Sequence, residues 1–257
     1  MSQPFLEVAG LSVILGRRDV LSEVSLVVDK GEFVAIVGPN GSGKTTLLRA
    51  IAGLVEARGR IAIAGEPLAS ISLNQRARTI TYLPQGNVFY WPLAAEEVVA
   101  LGRLPQTRGA GLSAADRAAV HEAMARTATL EFATRAVTTL SGGERARVAI
   151  ARVVATGAML VLADEPTAAL DLQHQLTVLS LLRKHADAGG AVIAVLHDLG
   201  LAARHADRVV VLDKGRVVAD GSPRAVLTAE RLAATFGVVA EITEMHGALW
   251  IAPTGLS

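Results

Sequence analysis

The sequence predicts an α/β fold, a parallel sheet covered by helices on both faces, and three observations carry that prediction. Short runs rich in β-branched residues recur at Phe33-Val34-Ala35-Ile36-Val37, Met159 to Ala163, Ala191 to Leu196 and Arg208 to Leu212, the pattern of strands buried on both sides. Helical stretches such as Leu172 to Ala186 separate them, supplying the crossovers that parallel strands need. With 257 residues, of which 51% are apolar, the chain is long enough for one large core carrying an insertion.

Taken in order, the first forty residues and Arg60-Ile61-Ala62-Ile63-Ala64-Gly65 read as short strands and hairpins, an antiparallel sheet laid beside the main one. The run Phe33 to Val37 ends at Gly38 and enters a glycine-rich turn. A helix follows over Thr45 to Ala52, with Leu47, Leu48, Ile51 and Ala52 on its apolar side and Gly53 as its stop. From about Gly86 to Val154 the strand pattern gives way to Ala-rich helical segments, one of them opening at Ser113 with Asp116 three residues on. This predicts a helical subdomain, about 86–154, inserted in a single domain over 1–257, with Leu104 to Leu112 as a loop inside it. The stretch from Thr228 to Ser257 is too short for a further domain, and Trp250 within it reads as a packing residue.

Composition narrows the functional classes. The chain has no cysteine, so disulfide staples and thiolate metal sites are excluded. A formal net charge of +1 gives no long-range attraction to nucleic acid, and none is expected as a partner. No run of about 18 apolar residues free of charge occurs, and Met1 to Glu7 lack the basic and apolar regions of a secretory signal, so a cytosolic protein is expected.

Gly38-Pro39-Asn40-Gly41-Ser42-Gly43-Lys44-Thr45, followed by Thr46, matches the Walker A pattern between a predicted strand and a predicted helix. Glycines let the backbone wrap a triphosphate so that successive N–H groups and the helix N-terminus face the anion. Lys44 then reaches the β and γ phosphates of ATP, and the Thr45 hydroxyl ligates Mg²⁺. The fold class is thereby that of a P-loop nucleotide-binding, RecA-like core. Met159 to Ala163 end in Asp164-Glu165, the Walker B arrangement. Successive residues leave a strand end in different directions, so Asp164 can hold the metal shell while Glu165 faces the attacking water.

Leu140-Ser141-Gly142-Gly143-Glu144, leading into the helical run Arg145 to Ala155, resembles the signature motif of the ATP-binding-cassette (ABC) family. A serine and two glycines opening a helix form a second anion cradle, and Ser141 with Glu144 also makes a capping box. Other motifs follow in family order. Gln85 in Tyr82-Leu83-Pro84-Gln85 resembles the Q-loop glutamine, which senses Mg²⁺ and the γ-phosphate; Ala169-Leu170-Asp171 resembles the D-loop; and His197 resembles the H-loop histidine, which orients the γ-phosphate and water. The resemblance implies two ATP molecules sandwiched in a head-to-tail homodimer, Ser141 to Gly143 of one copy closing on the nucleotide held by the other.

Where many members carry an aromatic that stacks on adenine, this chain has Leu15, with Arg17 and Arg18 as alternative stacking groups. The aromatic cluster in Gly86-Asn87-Val88-Phe89-Tyr90-Trp91-Pro92 falls where importers of the family receive a coupling helix from an integral membrane permease. The runs Leu93 to Pro105 and Leu170 to Gln175 are similar to the ATPases of importers for ferric siderophores, haem and cobalamin. The resemblance therefore implies an ATPase on the cytoplasmic face of the inner membrane, coupled through permease subunits to a periplasmic or surface substrate-binding protein. A related ATPase for another cargo, or a soluble one of cluster-assembly type, is the alternative.

Overall fold

The computed structural model describes residues 3–86, 89–107, 111–245 and 248–257. In chain order its main elements are β1 (Leu6–Leu15), β2 (Arg18–Val28), β3 (Phe33–Val37), α1 (Lys44–Ile51), β4 (Arg58–Ile63), β5 (Glu66–Pro67), α2 (Leu73–Thr79) and β6 (Ile80–Leu83). Then come α3 (Ala95–Ala100), a 3₁₀ turn over Leu101–Gln106, α4 (Ala114–Arg126), α5 (Gly142–Thr156), β7 (Leu160–Asp164), α6 (Leu172–Asp187) and β8 (Ala191–Val195). The chain closes with α7 (Leu199–His205), β9 (Arg208–Asp213), β10 (Arg216–Gly221), α8 (Pro223–Val226), α9 (Ala229–Phe236), β11 (Val238–Met245) and β12 (Ala248–Leu256).

The central sheet has the order β10-β9-β3-β8-β7-β6. Five strands run parallel, and only β10 turns back antiparallel at the edge. Its apolar strands are continuous because both faces are covered. Val34, Ile36, Leu160, Leu162, Ile193 and Val210 point into one core. Their alternates Phe33, Ala35, Val37, Val161, Val192 and Val209 point into the other. That is the two-residue period of a strand with both sides buried. Truncating Ile36, Leu160, Leu162 or Ile193 to Ala would remove about 2–5 kcal/mol of stability, the cost of lost burial plus an unfilled cavity.

The first core is roofed by α1 and by a second, antiparallel sheet of order β2-β1-β4-β5. This is the predicted antiparallel layer, but its strands β1 and β2, of ten and eleven residues, are longer than expected. A register shift between Val8 and Leu11 in β1 keeps Leu6, Val8, Leu11 and Val13 all facing inward. The second core lies beneath α5, α6 and α7.

Between β6 and β7 the chain is helical, and α3, α4 and α5 share a third core built on Val98, Val99, Met124, Phe132, Val148 and Ala151. Ser113 caps α4 as expected: its Oγ accepts from Asp116 N at 3.1 Å, and Asp116 accepts from Ser113 N at 3.0 Å. The expected loop over Leu104 to Leu112 is instead helical at its start, since the 3₁₀ turn runs through Gln106. Arg103 explains the difference. Its guanidinium donates to Asp116 at 2.9 Å and to the Ala155 carbonyl at 2.8 Å, pinning the turn between α4 and the end of α5. Two strands went unread in the sequence, β6 and the edge strand β10. The last thirty residues likewise form α9 and the β11–β12 hairpin; Arg204 of α7 lies over the half-exposed Trp250 ring of β12 at 5.7 Å.

No helix among the described residues is long and apolar enough to cross a membrane.

Candidate nucleotide site

The parallel strands all end on one side of the sheet, and the predicted site residues sit at those ends, where open α/β sheets bind ligands. The loop Gly38 to Gly43 leaves β3, Gln85 follows β6, Asp164 and Glu165 end β7, and His197 follows β8. A cleft of about 750 Å³ opens there. It is lined by Asn40, Gly41, Gly43, Lys44, Thr45, Thr46, Gln85, Glu165 and His197, together with Arg18, Asp19, Val20, Lys214 and Gly215. Gly38, Pro39 and Ser42, in the same loop, are not among the residues that line it.

The loop can turn only because of Gly38. A Cβ there would stand 2.0 Å from the Leu212 carbonyl oxygen of β9, and the residue adopts φ 152°. The loop then closes on Gly43, whose φ of 103° makes it a left-handed N-cap for α1. Gly43 has no side chain to cap that helix, so its first N–H groups are left for something outside it. Lys44 is buried and donates to the Gly38 and Pro39 carbonyls at 2.8 and 2.9 Å. Burial pulls its pKa down, against the opposing pull of Glu165 and Asp164. An anion in the cleft would stabilise this ammonium. Among the described residues the buried Ser42 hydroxyl has no hydrogen-bond partner, a further polar group suited to a bound phosphate.

Asp164 and Glu165 diverge as the strand-end argument requires. Asp164 is 1% exposed; its Oδ1 accepts from the Thr45 hydroxyl at 3.1 Å and its Oδ2 from the Tyr82 hydroxyl at 3.2 Å. Burial raises its pKa, and these two donors work the other way. Glu165 takes a left-handed φ of 53°, an uncommon conformation for a non-glycine residue. It presents its carboxylate to His197 instead, with Oε1 2.6 Å from His197 Nε2. A buried carboxylate beside a hydroxyl is an oxygen-only pair of the kind that suits a hard divalent cation. Among the described residues no group of three His, Cys, Asp or Glu side chains could enclose a metal unaided, so such an ion would complete its shell with oxygens from outside the chain, water or phosphate.

The signature residues stand apart from this cleft. Ser141 is exposed at the N-terminus of α5, its Oγ accepting from Glu144 N at 3.3 Å while Glu144 accepts from Ser141 N at 2.7 Å. Nothing lies within 4 Å of a Cβ built on Gly142. Gly143 faces Ala169, in the segment that leads to Asp171, the N-cap of α6. The chain thus brings together Lys44, Thr45, Gln85, Asp164, Glu165 and His197, and leaves Ser141 and Gly142 exposed outside the cleft, with Gly143 beside them against Ala169.

Other expectations divide. Leu15 is 47% exposed and does not line the cleft; Arg18 does, and Arg17 does not. In the aromatic cluster, Phe89 is half-buried between the second and third cores, whereas Tyr90 and Trp91 are 83% and 74% exposed. Asn87 and Val88 lie outside the described residues. Sequence reasoning missed Tyr82 as a partner of Asp164, and Lys214 as a cleft residue. No local pattern marks either.

The family model for ABC transporters matches residues 21–168. The hemin import ATP-binding protein HmuV of Streptomyces coelicolor is 49% identical over 247 residues, covering 95% of this chain and 88% of that protein. The cobalamin import ATP-binding protein BtuD of Halobacterium salinarum is 44% identical over 233 residues, 90% of this chain and 58% of that protein. Among solved structures, a metal-chelate type ABC transporter in an inward-facing conformation superposes with a TM-score of 0.82 at 26% identity, over 99% of this chain and 98% of that one. A dimeric ATP-binding cassette in a post-hydrolysis state, bound to ADP and phosphate, does so with 0.76 at 29% identity, over 85% and 99%. With the loop, the paired carboxylates and the signature helix all in place, the chain belongs to the ABC transporter family, as one of its ATP-binding and ATP-hydrolysing domains.

Proposed function

We propose that this chain is the ATPase subunit of an importer for an iron complex, haem or a ferric siderophore, or for cobalamin, working as a homodimer at the cytoplasmic face of the cell membrane. It is one domain over 1–257, with the helical segment at about 86–154 inserted in the catalytic core. The observation that carries the reading is the division of the site. The cleft holds Lys44, Glu165 and His197, while Ser141 opens a capped helix, exposed and outside the cleft lining. A second copy placed head to tail would bring its Ser141, Gly142 and Gly143 amides to the phosphate that the first copy holds.

In this reading Gly38 to Thr46 cradle the triphosphate and Lys44 neutralises its β and γ oxygens. Thr45, Asp164 and Gln85 would hold Mg²⁺, which when bound would neutralise charge on the phosphates. Glu165 takes the proton of the attacking water, worth roughly 10²–10⁴ in rate. His197, 2.6 Å from Glu165, keeps that carboxylate turned toward the cleft and meets the γ-phosphate. Closure of the dimer is passed on through Gln85 to the following segment, Gly86 to Pro92, where the permease docks. Tyr90 and Trp91 are the exposed anchors there, and Phe89 is the packed base beneath them. The substrate-binding protein meets the permease rather than this chain.

The cargo reading rests on relatives named for hemin and cobalamin import along most of this chain. Coexpression with its permease and uptake assays with haem, a ferric siderophore and cobalamin test it. Transport of one of them is expected, and Tyr90→Ala with Trp91→Ala should abolish uptake while leaving nucleotide binding unchanged. Uptake of none, from a complex that still hydrolyses ATP, would refute the cargo assignment; unimpaired uptake by the double variant would refute the docking site.

A further inference from the structure

The cleft has two ends. Gln85, Glu165 and His197 line one, beside Asp164 and Thr45. Arg18, Asp19 and Val20 of β2 line the other, together with Lys214 and Gly215, the two residues that join β9 to β10. The phosphate loop runs between them. Thr45 touches Asp164, whereas the Ser42 carbonyl accepts from Gly215 N at 3.0 Å and a Cβ on Gly43 would lie 3.0 Å from the Val20 carbonyl. With the γ-phosphate at the Glu165 end, base and ribose fall at the end marked by Arg18 and Lys214. Among the described residues no aromatic side chain lines the cleft.

We propose that Lys214 is a nucleotide-binding residue which, with Arg18 at the same end of the cleft, holds the base-and-ribose half of ATP in place of an aromatic stack. A guanidinium plane can lie on a purine face. The ammonium offers three donors to ring nitrogens or ribose and α-phosphate oxygens, and the Asp19 carboxylate can accept from ribose hydroxyls. These contacts read features that adenine and guanine nucleotides share, so ATP and GTP should be held alike.

The fold does not itself call for a lysine there. Lys214 and Gly215 have φ of 45° and 78°, and Asp213 pairs with Arg216, so the connection is a two-residue type I′ turn. Gly215 is demanded, because a Cβ would stand 2.5 Å from the Val20 carbonyl oxygen. The first position is not. The corresponding turn between β4 and β5, Ala64-Gly65 with φ of 48° and 83°, carries an alanine there. Asparagine is the residue this position favours most, so Lys214→Asn removes the cation while leaving the turn at least as stable.

The test is nucleotide titration of the whole chain by calorimetry, with thermal melts alongside. Lys214→Asn and Arg18→Ala should each raise the Kd for ATP and for GTP by about two- to fivefold, the range for a partly exposed cation against a ring. Arg17→Ala, which lies off the cleft, should leave both unchanged. Lys214→Asn should melt no lower than the parent. An unchanged Kd in Lys214→Asn overturns the proposal, as does an equal loss in Arg17→Ala, which would mean a general charge effect. A lost affinity accompanied by a lowered melting temperature in both Lys214→Asn and Lys214→Gly overturns it too, by assigning the effect to the turn. Lys44→Ala, run beside them, reports separately on whether the cleft is the nucleotide site.

Discussion

Two helices of this protein start at glycine-bearing motifs, and they start in opposite ways. α1 begins at Gly43 in a left-handed conformation, where among the described residues no side chain closes its N-terminus and the buried Ser42 hydroxyl has no partner. α5 begins at Ser141 inside a complete capping box, its end satisfied by Ser141 and Glu144. An uncapped helix end leaves N–H groups and a partial positive charge seeking an anion. A capped end stands in solvent at little cost and still presents the amides of its first turn. In the proposed reading the first end receives the nucleotide, and the second, exposed, would meet one carried by another copy.

Removing the cation at the uncapped end should have the largest effect. Lys44→Ala deletes a charged donor able to make two bonds to phosphate, and ATP affinity should fall by about 100-fold or more, read by titration of a fluorescent nucleotide. Binding within threefold of the parent would mean that the α1 end is not where the triphosphate sits. Glu165→Gln comes next. It keeps the loop intact and should lower hydrolysis by roughly 10²–10⁴ while ATP drives a lasting dimer seen by light scattering; a monomer at saturating ATP would count against the sandwich.

The capped end is tested by mixing. Ser141→Arg fills the cradle and removes a cap worth about 1 kcal/mol, and alone it should be inactive like Lys44→Ala. An equal mixture of the two should regain about a quarter of parent turnover, since half the dimers then hold one intact site. No recovery from folded, associating variants would end the claim that each site takes residues from two copies.

The smallest effect concerns caps alone. Asp116, which closes α4 as Glu144 closes α5, is held at a pKa of about 2 by its bonds to Ser113 and then by Arg103, against an ordinary 3.8. Hydrogen bonding to Ser141 lowers the Glu144 pKa in the same way. A carboxyl whose folded pKa is depressed contributes stability that is complete above its ordinary value and is lost as pH falls toward the folded one. Asp116→Asn should therefore melt lower than the parent at neutral pH, and the gap should close between about pH 4 and pH 2. A constant gap across that window would show that the charge on Asp116 contributes nothing to the cap.

Much of the site was legible because its chemistry is local. A strand, a tight loop and a helix within the nineteen residues from Phe33 to Ile51 specify the phosphate cradle, and two carboxylates ending a buried strand specify the acid pair. Capping boxes at Ser113 and Ser141 were readable for the same reason, since each needs only residues three apart. Aromatic residues in one short segment were readable as a cluster, but not their division into a buried Phe89 and an exposed Tyr90 and Trp91, which depends on what packs beneath them.

The sequence by itself determined the parallel core, the phosphate loop, the carboxylate pair and the kind of helix that carries Ser141, because short-range periodicity and backbone conformation encode them. Tertiary structure alone decided which distant groups meet. Sheet order places β6 beside β7 and so sets Tyr82 on Asp164. The hairpin of β9 and β10, folded against the phosphate loop, brings Lys214 into the cleft with Arg18. Contacts between residues eighty or more positions apart follow from how strands pair and layers pack, and no spacing along the chain records them.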